Sequence, residues 1–313
     1  MNAADLVLPP LIRLLRPVST LRGRYRVCGA ANRALLLAGC SPNQRARMRH
    51  GSVIWVDMRS HTEWYALWSG QYDEEFIGLL AKLLAAFPGS FLDVGGNIGM
   101  YAVRVSRLSG CKTICFEPMP RNTTRIRQNA QLNGVEGELE VLEIALSDHE
   151  GSADLVLRED FVAGSQTGNA SIAISNEADG LFERIKVPVL RFDDFLAGRA
   201  EKNIFVAKVD IEGHEDFFLR GAEKWLGQNR PVILTEINNW FYLKRGTTSA
   251  AAFSQSLPRD YSVALVSNQF GKYLLEEIPV EQLADLKGLH NCLLYPPEKS
   301  ELINSVISYG ASE

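Results

Sequence analysis

Residues Phe91 to Gly99 read FLDVGGNIG, and 24 residues after Asp93 the run ICFEP ends in Glu117. An apolar strand enters a glycine-rich turn, and a second apolar strand ends in a lone carboxylate. In an α/β sheet this pairing holds a nucleoside. The glycines let the backbone approach the ligand, and the acid accepts the ribose hydroxyls.

The detail of the turn narrows the ligand. A dinucleotide fingerprint is G-x-G-x-x-G, with a pyrophosphate resting on the following helix. Here the string is D-x-G-G-N-x-G. An acid two residues before the first glycine repels a pyrophosphate and suits a ligand carrying an ammonium and a sulfonium, as S-adenosylmethionine does. Asp93 is then expected near the methionyl ammonium, directly or through water. Gly95, Gly96 and Gly99 keep the turn free of Cβ atoms, Asn97 bonds loop or ligand, and Glu117 takes the ribose. The plainer alternative is a strand-to-helix turn with an aspartate cap.

The rest of the chain alternates short apolar runs with helical spacing. Strands are expected at 91–95, 113–118, 139–146, 205–211, 231–237, 261–267 and 291–296, and helices near 98–108, 121–132, 214–226 and 249–257. This is the pattern of a doubly wound, mostly parallel α/β sheet covered on both faces, with the last two strands forming an antiparallel pair at one edge. The chain divides into an arginine-rich extension (1–50), a lead-in strand and helix (51–89) and the main α/β domain (90–300). Ala153 to Leu157 and Ile185 to Leu190 read as extra strands. Between them Gly164 to Asn176 is polar, and a lid and an inert surface insertion both fit it.

Ligands of open parallel sheets sit beyond the carboxyl ends of the strands. Those ends carry Asp93, Glu117, the segment Ala145, Leu146, Ser147 and Asp148 that could frame an adenine, then Asp210, Glu212 and His214, and then Glu236. Buried carboxylates are costly without partners, so folding alone explains them poorly. His214 could take a proton from an acceptor hydroxyl near neutral pH, oriented by Asp210 or Glu212. It could instead only open a helix. Asp210 with Glu236 could hold a divalent metal through hard oxygen ligands, a possibility the spacing permits without requiring.

Bulk properties set the outer bounds. With 313 residues, 46% hydrophobic and 22% charged, the chain is an ordinary globular one. Net charge is −4, against a nucleic-acid binder, yet residues 1 to 50 hold nine arginines and one acid, Asp5. Five cysteines without C-x-x-C spacing suggest reduced thiols in a cytoplasmic protein. No signal peptide or membrane span is expected. Leu6, Leu11, Leu14 and Leu15 with Arg13 and Arg16 could form an interfacial helix touching a membrane through residues 6–16, or pack on their own domain or a second subunit.

The strings SGQYDEEF, FLDVGGNIGMYA, FEPMPRNTTRIRQNAQLNG, IALSDHEG, VPVLRFDDF, VAKVDIEGHEDFFLRGAEKWL and RPVILTEI resemble the FkbM-type methyltransferases, over about residues 51 to 296. The resemblance implies a Rossmann-like fold with a seven-stranded sheet and one antiparallel strand. It implies S-adenosylmethionine as cofactor and methyl transfer to a hydroxyl of a glycan or polyketide-like acceptor. Asp93, Gly95, Asn97 and Gly99 match the family's cofactor loop, Glu117 its ribose acid, and Asp210, Glu212 and His214 its second signature. Gly96 stands where members often carry alanine, an exchange expected to be harmless. The +8 arginine stretch keeps an RNA acceptor as the rival expectation.

Overall fold

The computed structural model describes residues 3–16, 23–269 and 272–308. The chain opens with helices α1 (Ala3–Leu15) and α2 (Arg24–Leu37), then a hairpin of β1 (Asn43–Arg47) and β2 (Val53–Asp57). Helices α3 (His61–Ser69) and α4 (Glu74–Ala86) lead to β3 (Phe91–Val94), α5 (Ala102–Ser109), β4 (Thr113–Phe116), α6 (Pro120–Asn133) and β5 (Leu139–Leu142). Next come β6 (Ala145–Leu146), β7 (Gly151–Leu157), α7 (Glu159–Val162), β8 (Ala170–Ile172), α8 (Asn176–Asp179), β9 (Arg184–Leu190) and α9 (Phe192–Leu196). The last third runs β10 (Val206–Val209), α10 (Glu215–Gly221), α11 (Glu223–Asn229), β11 (Val232–Asn238), α12 (Asn239–Lys244), α13 (Ser249–Ser256), β12 (Ser262–Gln269), β13 (Lys272–Ile278), β14 (Leu289–Tyr295) and α14 (Ser300–Ser308).

Eight strands form the main sheet in the order β13-β12-β14-β11-β10-β3-β4-β5. From β11 to β5 neighbours are parallel, and β14 enters antiparallel between β11 and β12. All seven expected strands are present. The eighth, β13, pairs antiparallel with β12 at the edge. Its sequence, KYLLEEI, buries few side chains and gives only a weak apolar pattern. β3, β4 and β10 are buried along their whole length, because helices cover both faces.

Two expected elements divide. The run 139–146 splits: Leu139–Leu142 belongs to the main sheet, whereas Ala145–Leu146 pairs with β9 in a separate four-stranded sheet, ordered β6-β9-β7-β8. The helix expected at 214–226 breaks at Ala222 into α10 and α11.

The N-terminal segments dock on the main domain. Asn133 and Asn129 of α6 accept hydrogen bonds from the backbone nitrogens of Val53 (2.9 Å) and Trp55 (2.7 Å), satisfying one edge of β2. Ala46, Ile54, Trp68, Ile98, Val103 and Ala130 share one apolar cluster across that boundary. Leu11 and Leu15 of α1 pack against it, and Leu8 is buried, whereas Leu6 and Leu14 face outward. Among the described residues no helix is long and apolar enough to cross a membrane. All five cysteines are thiols, and of the nine N-terminal arginines Arg22 lies outside the described residues.

Candidate active site

The turn after β3 is fixed by close packing. The nitrogens of Gly95 and Gly96 donate to the Phe116 carbonyl at 2.9 and 3.1 Å, binding the turn to the end of β4. Gly95 has φ 87°, and a Cβ there would lie 1.9 Å from the carbonyl oxygen of Asp210 on the neighbouring strand end. A Cβ on Gly96 would lie 2.2 Å from Cys115 Sγ. The glycine is thus accommodated without strain, whereas an alanine here would press on the thiol beneath the turn. Gly99 closes the turn by donating to the Gly96 carbonyl (2.7 Å).

Glu117 is held by the loop it faces. Its Oε2 accepts from the backbone nitrogen of Asn97 (2.8 Å), and its Oε1 accepts from Met119 N (2.9 Å) and Asn122 Nδ2 (3.3 Å). Burial nonetheless pushes its pKa up to about 7. Asp93 lies deeper than expected. Its carboxylate is fully buried below the turn and does not reach the cavity wall; Oδ2 caps α5 through Ala102 N (2.9 Å). Its Oδ1 has no partner among the described residues, and burial raises its pKa to about 6. Asn97 Oδ1 is likewise buried without a partner.

A cavity of about 360 Å³ opens beyond these strand ends. Gly95, Gly96, Asn97 and Glu117 form one side, Ala145 and Leu146 another, and Asp210, Glu212, His214 and Glu236 a third. Asp148 points elsewhere, to His149 and Arg220. Lys208 was not expected here. Its ammonium meets Asp210 Oδ2 at 2.9 Å and sits 4.6 Å above the Tyr101 ring. Burial lowers its pKa, but Asp210 and Asp93 outweigh burial and hold it charged. Burial first, and then Asp210, raise both Glu212 and Glu236 well above the usual carboxylate range. The sequence carried the signal for Lys208: a lone lysine in a buried strand, two residues from an acid and so on the same face.

His214 departs from expectation. It precedes α10, its Nε2 lies 3.2 Å from Ser147 Oγ, and its ring stacks on Phe217 at 4.2 Å. No carboxylate among the described residues hydrogen-bonds it, so neither Asp210 nor Glu212 orients the ring. Burial, with Arg245 adding, lowers its pKa to about 4 rather than leaving it near neutral. The metal reading fares no better: Asp210 is engaged by Lys208, and no three acid, histidine or cysteine side chains among the described residues gather as ligands.

The polar stretch from Gly164 forms a strap across the cavity, and β8 lies within it. Asn169 accepts from Asn97 Nδ2 (3.0 Å) and donates to Glu212 Oε1 (3.3 Å). Asn122 Nδ2 donates to the Gly168 carbonyl (3.1 Å). From the N-terminal side, Asp57 accepts from Gln166 N (3.0 Å) and Glu63 from the Thr167 hydroxyl (2.8 Å). Glu63 also accepts from Asp57 N (2.7 Å), and burial raises its pKa to about 7.

The model of the Methyltransferase FkbM domain matches residues 93–260. No curated protein matches the chain. Among solved structures it is similar to the methyltransferase FkbM of Methylobacillus flagellatus KT, at 15% identity and TM-score 0.38 over 66% of this chain and 43% of that one. The chain thus spans less than half the length of that protein. It is also similar to cofactor-bound Rv0187 from MTB, at 14% identity and TM-score 0.40 over 72% of this chain and 81% of that one. An O-methyltransferase from Bacillus cereus in complex with SAH gives 11% identity and TM-score 0.40 over 72% and 82%. With a family match covering more than half of its length, the chain belongs to the FkbM family of methyltransferases, which use S-adenosylmethionine.

Proposed function

We propose that this chain is an O-methyltransferase acting on a hydroxyl of a glycan or polyketide-like acceptor. The observation that carries the reading is the single cavity joining the Cβ-free turn and Glu117 to Lys208, Asp210, Glu212, His214 and Glu236. The residues present fit the cofactor: the turn leaves room for a ligand, and Asn97 keeps a buried amide oxygen without a partner. Glu117, Gly95 and Asn97 would hold the ribose side, Ala145 and Leu146 would frame the adenine, and Asp210 would face the amino-acid end. Asp93 would act on that end only through the turn it supports. S-adenosylmethionine supplies the methyl electrophile.

The protein's share of the work is to align an acceptor oxygen and remove its proton. Neutral His214 can accept a hydrogen bond from the acceptor hydroxyl and take its proton late, once that oxygen has become acidic. Glu212 and Glu236 rest protonated near neutrality. Positive charge entering the cavity favours their ionised forms, which makes them the stronger bases of the site. Lys208 pairs with Asp210 at 2.9 Å and holds its carboxylate in place.

The test is transfer from labelled S-adenosylmethionine to fractionated saccharides, secondary metabolites and RNA, with and without chelator. Label in an ether linkage on a sugar or metabolite, unaffected by chelator, is the expected result. Label confined to RNA bases rejects the reading, and loss of transfer on chelation restores the metal scheme for Asp210 and Glu236.

A further inference from the structure

A second, open groove of about 830 Å³ lies between α2, the start of α3 and the strap. It meets the cavity just described at Thr62 and Asn169, which line both. Its α2 wall lies outside the segment that matches the family. Tyr25 projects from α2, 41% exposed, with its ring 4.9 Å from Trp64, 5.4 Å from His61 and 5.6 Å from Tyr65. The Tyr25 hydroxyl is hydrogen-bonded to the His61 imidazole, which fixes the platform. Arg26 and Arg33 line the same wall and are exposed. Neither has a carboxylate partner among the described residues; Arg33 touches only the Gly29 carbonyl, at 3.4 Å. Arg59 also lines the groove, but Asp57 neutralises it in a two-point pair. On the facing wall Asp160 is consumed by Ser60 Oγ (2.9 Å) and His61 N (2.7 Å), leaving Glu159 as the free acid.

We infer that this groove binds the acceptor, and that the acceptor is a saccharide carrying an anionic group. Flat, amphipathic rings offer a face to the C–H side of a sugar. Two unpaired guanidinium groups offer planar, charge-assisted hydrogen bonds to a phosphate or carboxylate. The acceptor's hydroxyl would pass Asn169, whose amide already spans Asn97 and Glu212, and so arrive beside the proposed bases. The opening on the other side of His214 is a poorer candidate. Its arginines, Arg220 and Arg245, are both committed to Asp216 and stacked on Phe217. Two free arginines also fall short of the run of phosphate contacts that nucleic-acid binding draws on.

This inference rests on the O-methyltransferase reading, and the experiment separates the two. Full-length protein with S-adenosylhomocysteine would be titrated with glucuronate-containing oligosaccharides, sugar phosphates, neutral glucans and a short single-stranded RNA, and methyl transfer to each measured alongside. Expected are binding and transfer to the anionic sugars, with KM raised at least tenfold in Tyr25→Ala and in the double variant Arg26→Gln/Arg33→Gln, and S-adenosylhomocysteine affinity unchanged. Methylation of a saccharide that these variants do not affect overturns the groove and leaves the O-methyltransferase reading standing. Preference for neutral glucans overturns the anionic class. Binding of S-adenosylhomocysteine with RNA alone methylated overturns both.

Discussion

The glycine turn after β3 and the strap cross the same cavity, but different forces hold them. The turn, residues 93–99, is fixed by shape: Gly95 lies against the Asp210 carbonyl, Gly96 against Cys115, and the turn's own amides bond the end of β4. The part of the strap ahead of β8, residues 164–169, is fixed by polar side chains reaching in from other segments: Asp57 and Glu63, Asn97 and Asn122, and Glu212. A turn set by close packing has one conformation, because an atom added at Gly95 meets backbone and one added at Gly96 meets a buried thiol. A strap set by hydrogen bonds to titratable groups can open at modest cost. The site is thus rigid where it would hold a cofactor and releasable where an acceptor would enter.

The largest expected effect attacks the rigid side. Gly95→Ala places a methyl group against the Asp210 carbonyl at a left-handed φ, and should cost about 4 kcal/mol or more of stability. Equilibrium urea unfolding checks it, and an unchanged midpoint would show that the β3–β10 contact is looser than it looks.

On the strap side, Glu63→Ala leaves Asp57 N and the Thr167 hydroxyl without their acceptor. It should cost roughly 2–4 kcal/mol and expose the strap to limited proteolysis. The pH dependence has a definite sign. The folded-state pKa of Glu63 is raised to about 7 from 4.5, so its ionisation opposes folding. Stability from this group is full below pH 4.5 and is lost as pH rises through 7, by on the order of 3 kcal/mol. Glu63→Gln should flatten that limb. A strap that resists protease equally at pH 5 and pH 8 would refute the pH-sensitive hold.

Glu117→Ala joins the two regions, since Asn97 is bonded to Glu117 and also to the strap. It should weaken S-adenosylhomocysteine binding by roughly 1.5–3 kcal/mol in calorimetry while the fold persists. Full affinity would remove Glu117 from the ribose site and leave it a loop anchor.

The smallest effect is a coupling. Gly96→Ala should cost about 1–3 kcal/mol with Cys115 in place and much less beside Cys115→Ala, a non-additivity of about 1 kcal/mol or more in a double-mutant cycle. Strict additivity would mean that the thiol moves aside freely.

Legibility in the sequence followed chain separation. Gly95, Asn97 and Glu117 lie within one strand-turn-helix-strand unit, so their spacing alone announced the turn. Spacing places Asp93 at the turn, but whether it faces ligand or helix depends on depth, which spacing does not encode. Lys208 could have been found from the alternation of its strand. The strap's anchors could not: Glu63 and Thr167 are 104 residues apart, and nothing local to either marks the other.

By itself the sequence determined the doubly wound sheet, the seven expected strands and the glycine turn after β3, because these depend on residue periodicity and on where a Cβ is tolerated. Only the tertiary structure decided the titration of His214, which an imidazole's ordinary value puts near neutrality and which burial, with Arg245 adding, lowers to about 4. It also decided that Lys208 pairs with Asp210, and that α2 and α3 build a second groove. Charge state and partner choice are set by what surrounds a group in space, and that surrounding comes from segments far apart in the chain.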